Sequence, residues 1–205
     1  MPKKEAPLEQ LSHFIPAASI PRVLEYLHQF KVHLTITRER KSILGDYRHS
    51  TIYKPHRISV NGNLNRFSFL ITLIHEFAHL ATFILYKNKV QAHGMEWKKI
   101  YAEMLQEFLV LKIFPEDICQ AISQSMHNLP ASSCADDGLM RILKRYDVRE
   151  NGLVMVEEVE EGKLFDIGKG KLFMKGKKLR KRYQCTEVTT GKVYLFSPIY
   201  EVKAV

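Results

Sequence analysis

Cysteine is scarce in this chain. Its 205 residues include three cysteines, Cys119, Cys134 and Cys185, and no two of them form a CxxC pair. An odd number of widely spaced cysteines excludes a disulfide framework and leaves no cysteine-based zinc site. We therefore expect a protein of a reducing compartment, namely the cytoplasm.

Long hydrophobic runs are also missing. The longest apolar stretches are broken by His, Glu, Lys or Asn, well short of the ~18 to 20 residues that a bilayer span requires. The opening MPKKEAPLEQ leads into no apolar segment of the kind found in signal peptides. The composition predicts a soluble globular protein with one sizeable core, a small appendage and no membrane partner.

Acidic residues are few near the end of the chain. The whole sequence has 31 Lys and Arg against 22 Asp and Glu, a net charge of +9. Residues 163–205 contain 11 basic and 3 acidic residues, so the rest of the chain is nearly balanced. Eight basic residues fall within fourteen positions that contain no acidic one: Lys169, Lys171, Lys175, Lys177, Lys178, Arg180, Lys181 and Arg182.

A polar run with proline and glycine, HNLPASSCADDG, divides the chain at residues 127–138. Small polar residues of this kind are typical of linkers. We predict a larger domain over 1–126, a linker over 127–138 and a small basic β module over 139–205.

The larger domain has the pattern of an α+β fold with helices packed on a small sheet. IPRVLEYLHQF predicts a helix with Pro21 in its first turn, and VHLTITR and RISVNG alternate as half-buried strands do. LGDYRHSTIY supplies a candidate strand between them. Apolar residues then recur at helical spacing from Asn65 to about Asn88, and MEWKKIYAEMLQEFLV predicts a further helix.

Short apolar runs separated by glycine follow the linker and predict an all-β module of antiparallel strands. GKLF occurs at Gly162 and again at Gly170, which indicates two neighbouring hairpin strands. We expect the core of the module to consist of the apolar residues in these runs: Leu164, Phe165, Leu172, Phe173, Tyr183, Tyr194, Leu195 and Phe196.

An HExxH motif lies inside the long predicted helix. His75 and His79 are one turn apart and only ~40° apart around a helix, so both imidazoles can reach one ion. Two neutral imidazoles leave Zn²⁺ a Lewis acid that lowers the pKa of a bound water toward ~7. Glu76 is then placed to take a proton from that water and pass it to a leaving amine, as in metal-assisted hydrolysis.

A catalytic zinc needs a third protein ligand. A helix that runs to Asn88 climbs ~13 Å beyond His79, and the five residues to His93 span at most ~17 Å, so His93 can return to the ion. A carboxylate from the next helix, Glu103 or Glu107, is the alternative. The weaker candidates are His49, His56 and His127.

The segment resembles the SprT-like metalloprotease family, which includes bacterial SprT proteins and the eukaryotic Spartan protease. The resemblance rests on HExxH after a three-stranded stretch and on HGMEW opening the next helix, and it covers roughly residues 11–111. It implies a zincin-like α+β core and one zinc ion. Carried over residue by residue, it implies the zinc ligands His75, His79 and His93, the catalytic Glu76 and the aromatic Trp97.

The resemblance also implies the function of a zinc-dependent endopeptidase and, for Spartan-like members, cleavage of proteins held on DNA. Many members end in a zinc ribbon with two cysteine pairs, but here only Cys185 stands where such a pair would begin. The β module thus resembles a zinc ribbon without its cysteines, and we expect it to bind no zinc.

We expect the eight basic residues to bind the phosphates of a nucleic acid, DNA rather than RNA. The alternatives are a solvated basic surface or one that folds back on the acidic run at residues 157–161. For the whole chain, the alternative to a protease acting on nucleic-acid-associated proteins is a nucleic-acid-binding or regulatory protein with a vestigial or structural metal site. Glu76 favours the protease, because a structural site needs no general base.

Overall fold

The computed structural model describes residues 10–40, 43–126, 137–148, 152–168 and 170–205. The chain forms two compact units, Met1–Asp147 and Val148–Val205. Helices and sheets are mixed in the first unit, and antiparallel strands dominate the second, so the predicted α+β class is confirmed.

The first unit combines a small sheet with several helices. Its α-helices are α1 (Leu11–Phe14), α2 (Ile20–Gln29), α3 (Arg66–Tyr86), α4 (Met95–Val110), α5 (Glu116–Met126) and α6 (Asp137–Leu143). Its strands are β1 (Val32–Thr37), β2 (Gly45–Arg48) and β3 (His56–Asn61). The sheet order is β1-β3-β2, with β3 parallel to β1 and antiparallel to β2, so β2 lies at an edge.

Helix α3 forms the centre of this unit. Asn65 caps it, because its side chain accepts hydrogen bonds from the amides of Phe67 and Ser68. The helix is long and apolar enough to cross a membrane, but 78% of its most apolar window is buried inside the protein, as in a core helix. It ends at Tyr86, two residues before the predicted end, where Lys87 adopts a left-handed φ of 55°.

Because of helix α6, the boundary between the two units lies further along the chain than the sequence predicted. The sequence predicted a linker over 127–138, of which residues 127–136 lie outside the described part of the chain. From Asp137 onward, α6 packs Leu139 and Leu143 into the core of the first unit. Asn65 Nδ2 also donates to the Leu143 carbonyl at 3.0 Å and to the Asp147 carboxylate at 2.6 Å. The first unit therefore extends to Asp147 because tertiary contacts hold this segment.

The second unit contains one sheet of antiparallel strands. They are β4 (Leu153–Met155), β5 (Leu164–Asp166), β6 (Leu172–Lys178), β7 (Tyr183–Glu187), β8 (Val193–Phe196) and β9 (Glu201–Ala204). The order is β4-β9-β5-β6-β7-β8. The two GKLF runs give β5 and β6, which pair as predicted, with Phe165 opposite Phe173.

The core of the second unit differs from the predicted one. Phe165, Phe173 and Cys185 are buried, and the two phenyl rings lie 5.8 Å apart. Tyr194 and Leu195, in contrast, are 42% and 51% exposed. Both belong to β8, an edge strand with one neighbour in the sheet, which explains why their burial was overestimated. The other predicted core residues are half-buried: Leu164, Leu172, Tyr183 and Phe196.

Candidate active site

The nitrogen atoms of three histidines converge in the first unit. Helix α3 carries His75 and His79 on adjacent turns, and the segment after Tyr86 returns to place His93 beside them. Nε2 of His75 lies 3.1 Å from Nε2 of His79 and 3.4 Å from Nε2 of His93. Two ligands of a tetrahedral zinc, each at 2.0 to 2.1 Å, are ~3.3 Å apart. The spacing of the imidazoles therefore fits a zinc ion.

Trp97 packs against all three imidazoles. It is fully buried at the start of α4, and its ring centroid lies 4.7 Å from that of His75, 5.2 Å from His79 and 4.8 Å from His93. Tyr101, one turn later, stacks on Trp97 at 4.9 Å. Trp97, the aromatic residue of HGMEW, is therefore placed to restrain the orientation of the three imidazole rings.

The environment keeps these imidazoles neutral. Burial, and then the neighbouring His79 and His93, lower the pKa of His75 to about 3. Burial and His93 lower the pKa of His79 to about 4. The pKa of His93 is also lowered, mainly by burial. Neutral imidazole is the form that binds a metal, so the cluster is ready to bind one at neutral pH.

The carboxylates considered as third ligands point elsewhere. Glu107 accepts hydrogen bonds from Tyr26 Oη at 2.7 Å and from Arg22 Nη2 at 2.6 Å. Glu103 and Glu107 both line a groove between α2 and α4 that is about 880 Å³ in volume. Of the sequence candidates that lie within the described residues, His93 is the one that the structure brings to His75 and His79.

Two of the weaker histidine candidates, His49 and His56, do not join the cluster. The His49 ring stacks on Phe83 with 4.8 Å between centroids. Nδ1 of His56 lies 2.8 Å from Tyr47 Oη and accepts a hydrogen bond from the Ser50 amide at 3.2 Å. His127 lies outside the described residues.

Glu76 is buried under strand β2. It is 6% exposed and accepts a hydrogen bond from the Tyr47 amide. A Cβ atom at Gly45 would lie 2.5 Å from Glu76 Oε1 and 2.8 Å from Thr72 Cγ2, so a larger residue there would displace the carboxyl group. Sequence reasoning missed Gly45 and Tyr47, because their role depends on contact with a helix about thirty residues further along.

The pKa of Glu76 is raised to about 8. Burial is the main cause, and the charge of Asp46 adds to it, while Arg40 and the Tyr47 amide act in the opposite direction. Without a metal, the carboxyl group is therefore mostly protonated at neutral pH. A cation at the neighbouring imidazoles would favour the ionised form and lower this pKa.

This raised pKa predicts that Glu76→Gln stabilises the metal-free protein at alkaline pH. The unfolded state loses the Glu76 proton near pH 4.5, whereas the folded state holds it up to about pH 8. Since the unfolded state binds fewer protons across that window, stability falls as the pH rises, by roughly 1.4 kcal/mol per unit. We expect the difference in stability to change by about 3 to 4 kcal/mol in favour of the variant between pH 5 and pH 8.

Urea unfolding of the metal-free proteins at pH 5 and pH 8 measures this difference. His75 and His79 contribute the opposite pH dependence, but both proteins contain them, so the comparison isolates Glu76. A stability difference that is the same at both pH values would contradict the prediction.

An open cleft of about 500 Å³ exposes the cluster. One wall is formed by β2 residues, including Gly45 and Tyr47, and the other by residues of the segment 87–93. His75, Glu76 and His79 lie between these walls. The cluster can therefore be reached from solvent through this cleft.

Five of the predicted nucleic-acid-binding residues form an exposed group. They lie at the end of β6, in the connecting turn and up to the start of β7, and we call them the basic hairpin: Lys177, Lys178, Arg180, Lys181 and Arg182. Lys171 is also exposed, and its Nζ lies 3.9 Å from the Glu187 carboxylate. Lys169 lies outside the described residues.

Lys175 does not belong to this group, which corrects the prediction. It is 5% exposed, and its Nζ donates to the carbonyls of Glu157, at 3.1 Å, and Val159. The ammonium group also lies 4.2 Å from the centroid of the Tyr183 ring. Lys175 lies on the inward-facing side of β6. Its ammonium group is bonded to carbonyls of the acidic run at residues 157–161 and is therefore not available to a polyanion.

Comparison with known proteins places this site within a family. A family model described as the SprT-like family matches residues 19–122, just over half of the chain. Searches among curated proteins and among solved structures found no match. The matched region contains α3, α4 and the returning segment that together assemble the histidine cluster. The chain therefore belongs to the SprT-like family, and its first unit contains a metalloprotease-like domain.

Proposed function

We propose that this protein is a zinc-dependent endopeptidase that acts on proteins associated with nucleic acid. The observation that carries the proposal is a buried carboxyl group, Glu76, that lines the same open cleft as three converging imidazoles. Family membership is compatible with the same activity.

The residues of the chain supply the proton transfer and the binding geometry. A zinc ion held by the imidazoles would supply a Lewis acid for activating water and polarising a peptide carbonyl. Glu76 accepts a proton from the attacking water and delivers it to the leaving amine. The Tyr47 amide and the close approach of Gly45 hold the Glu76 carboxyl group in one position for both transfers.

The geometry favours a catalytic site over a structural one. Structural zinc sites are normally closed by four protein ligands, whereas catalytic sites have three and an accessible position. Among the described residues, three histidines form the cluster, and the cleft reaches them from outside. A vestigial site would also have no need for Glu76, which carries the cost of a buried carboxyl group.

Metal analysis and hydrolysis together test the proposal. We expect the purified full chain to bind one equivalent of zinc and to cleave an unfolded protein, with single-stranded and duplex DNA each added in parallel reactions. A chelator is expected to abolish cleavage, and added zinc to restore it. Cleavage that persists after the metal has been removed would contradict the assignment, as would failure of reconstituted protein to bind zinc.

The link to nucleic acid rests on the basic hairpin. Its five cationic side chains are exposed and lie close together in the chain. Neutralising about four phosphates would release counterions and give a log-log salt slope of roughly −3 to −4 on duplex DNA. The hairpin would then recruit the protease to proteins bound on the same polymer.

Removing charges from the hairpin is expected to weaken DNA binding. Lys177→Ser/Arg180→Ser should lower affinity at low salt by about tenfold or more and reduce the salt slope by about 2, because two phosphate contacts are lost. Fluorescence anisotropy with labelled single-stranded and duplex DNA measures both quantities.

The matched control is Lys192→Ser/Lys203→Ser, which removes the same charge from exposed positions of the same module. We expect it to change affinity much less. Equal effects of the two double variants would indicate general charge attraction instead of a binding site on the hairpin.

A further inference from the structure

The sheet of the first unit has a polar face that the proposed protease mechanism does not use. Leu34, Ile58 and Val60 point to the core from one side of the sheet. The other side is formed by the alternate residues. The strand register places them in two rows, His33, Arg57 and Arg48 in one and Thr35, Ser59 and Asp46 in the next.

A cavity of about 360 Å³ opens on this face. Arg48, Arg57 and Lys54 line it, and Asp46 is the one carboxylate among the described residues that line it. His33 also lines the cavity. The charged side chains among these described residues therefore give the cavity a positive charge at neutral pH. The cavity adjoins the cleft, because Asp46 lines both.

Arg57 lacks a partner within the described part of the chain. Its Nε atom is buried, and the structure records no hydrogen bond or ion pair for its guanidinium group among those residues. Two neighbouring arginines are satisfied: Arg48 Nε donates to Asp46 at 2.8 Å, and Arg40 Nε donates to Asn61 at 2.7 Å. A buried donor without a partner is costly, so the Arg57 site favours an external acceptor.

The position of Arg57 adds a second argument for an anion. It lies directly opposite Arg48 in the antiparallel pairing of β2 and β3. Like charges directly opposite each other destabilise a sheet, and a bound anion would reverse that effect. Within the described residues, the ion pair between Arg48 and Asp46 is the one contact that offsets the repulsion between Arg48 and Arg57.

We propose that this cavity binds a phosphate-type oxyanion, either free phosphate or a phosphodiester group of a nucleic acid. The planar guanidinium of Arg57 offers paired N–H donors that match a phosphate. Ser59 Oγ accepts a hydrogen bond from Arg40 at 3.0 Å, which leaves its hydroxyl hydrogen available to the anion. The cavity gives the first unit an anion contact of its own.

Inorganic phosphate binding to the full chain tests the site. Titration calorimetry and the thermal unfolding midpoint are measured for the wild type, Arg57→Gln and Arg66→Gln. Arg66 is exposed and does not line the cavity, so its variant has the same charge change elsewhere. We expect saturable binding by the wild type, at least a tenfold loss of affinity in Arg57→Gln and less than a twofold change in Arg66→Gln.

Because Arg57 has no partner in the described residues, Arg57→Gln should fold as well as the wild type in phosphate-free buffer. If it does not fold, Arg48→Gln serves as the second variant, with the same loss of phosphate affinity expected. No saturable binding by the wild type, or equal weakening by the Arg66 variant, would overturn the proposal.

A short single-stranded oligonucleotide separates the two sources of phosphate. Binding is measured in the Lys177→Ser/Arg180→Ser background, which weakens the contact through the second unit. If Arg57→Gln weakens oligonucleotide binding and free phosphate competes with it, the ligand is a phosphodiester. If only inorganic phosphate binding is lost, the ligand is a free phosphate group. None of these measurements requires hydrolysis, so they remain informative if the protease assignment fails.

Discussion

Glu76→Gln is expected to abolish peptide-bond hydrolysis while leaving the metal bound. A positioned general acid-base contributes ~10² to 10⁴-fold to a reaction rate, and glutamine cannot perform the proton transfer. The metal should remain because the cluster that could hold it consists of His75, His79 and His93. The amide oxygen of glutamine can still accept the Tyr47 N–H bond, so the local structure is retained. Initial rates with an unfolded substrate and zinc content by mass spectrometry measure the two effects.

Glu103→Gln is the matched control. It makes the same chemical change on α4, in the groove between α2 and α4 and away from the cleft. We expect this variant to cleave at the wild-type rate. Zinc loss in Glu76→Gln would indicate that this carboxylate is a ligand, and full activity in that variant would remove it from the mechanism.

His93→Ala is expected to lower zinc affinity by at least ~100-fold, since loss of an outer-shell partner alone typically costs 10- to 100-fold. The remaining pair, His75 and His79, would hold the ion through only two nitrogens. Activity should fall with occupancy and recover in part at high zinc concentration. Competition with a chromogenic chelator measures the dissociation constant.

Two further variants make the His93 experiment specific. His49→Ala removes an imidazole that lines the same cleft but stacks on Phe83. We expect it to retain wild-type affinity. Glu103→Ala tests the alternative third ligand in the same assay. Full occupancy in His93→Ala together with zinc loss in Glu103→Ala would show that the third ligand had been assigned wrongly.

The cluster of three histidines shows how much of the candidate site a local sequence pattern can predict. The helical spacing of His75 and His79 follows from the period of α3, which the apolar stripe predicts with an error of two residues at its end. The third histidine is different, because the chain length between His79 and His93 allows His93 to return to the pair but does not require it. The choice over Glu103 and Glu107 follows from contacts across α2 and α4, which local periodicity does not contain.

The basic residues near the end of the chain show what composition alone does not predict. Composition identifies a concentration of lysine and arginine, and five of these residues are exposed in the basic hairpin. It does not identify Lys175 as buried, because that depends on the pairing of β6 with β7 and on the carbonyls of Glu157 and Val159. The burial of Tyr194 and Leu195 was overestimated for a similar reason, since strand order in the sheet is not a local property.

The sequence by itself determined the elements that depend on neighbours along the chain: the HExxH helix, the alternating strands, the GKLF hairpin and the α+β class. Tertiary structure decided how close distant segments come to each other. It brought Gly45 against Glu76, extended the first unit to Asp147 and placed Arg57 opposite Arg48. Periodicity specifies which side of an element is apolar, whereas these contacts depend on which other element packs against that side. A displacement of several ångströms decides whether a side chain can bind at a site, and local periodicity does not predict distances of that kind.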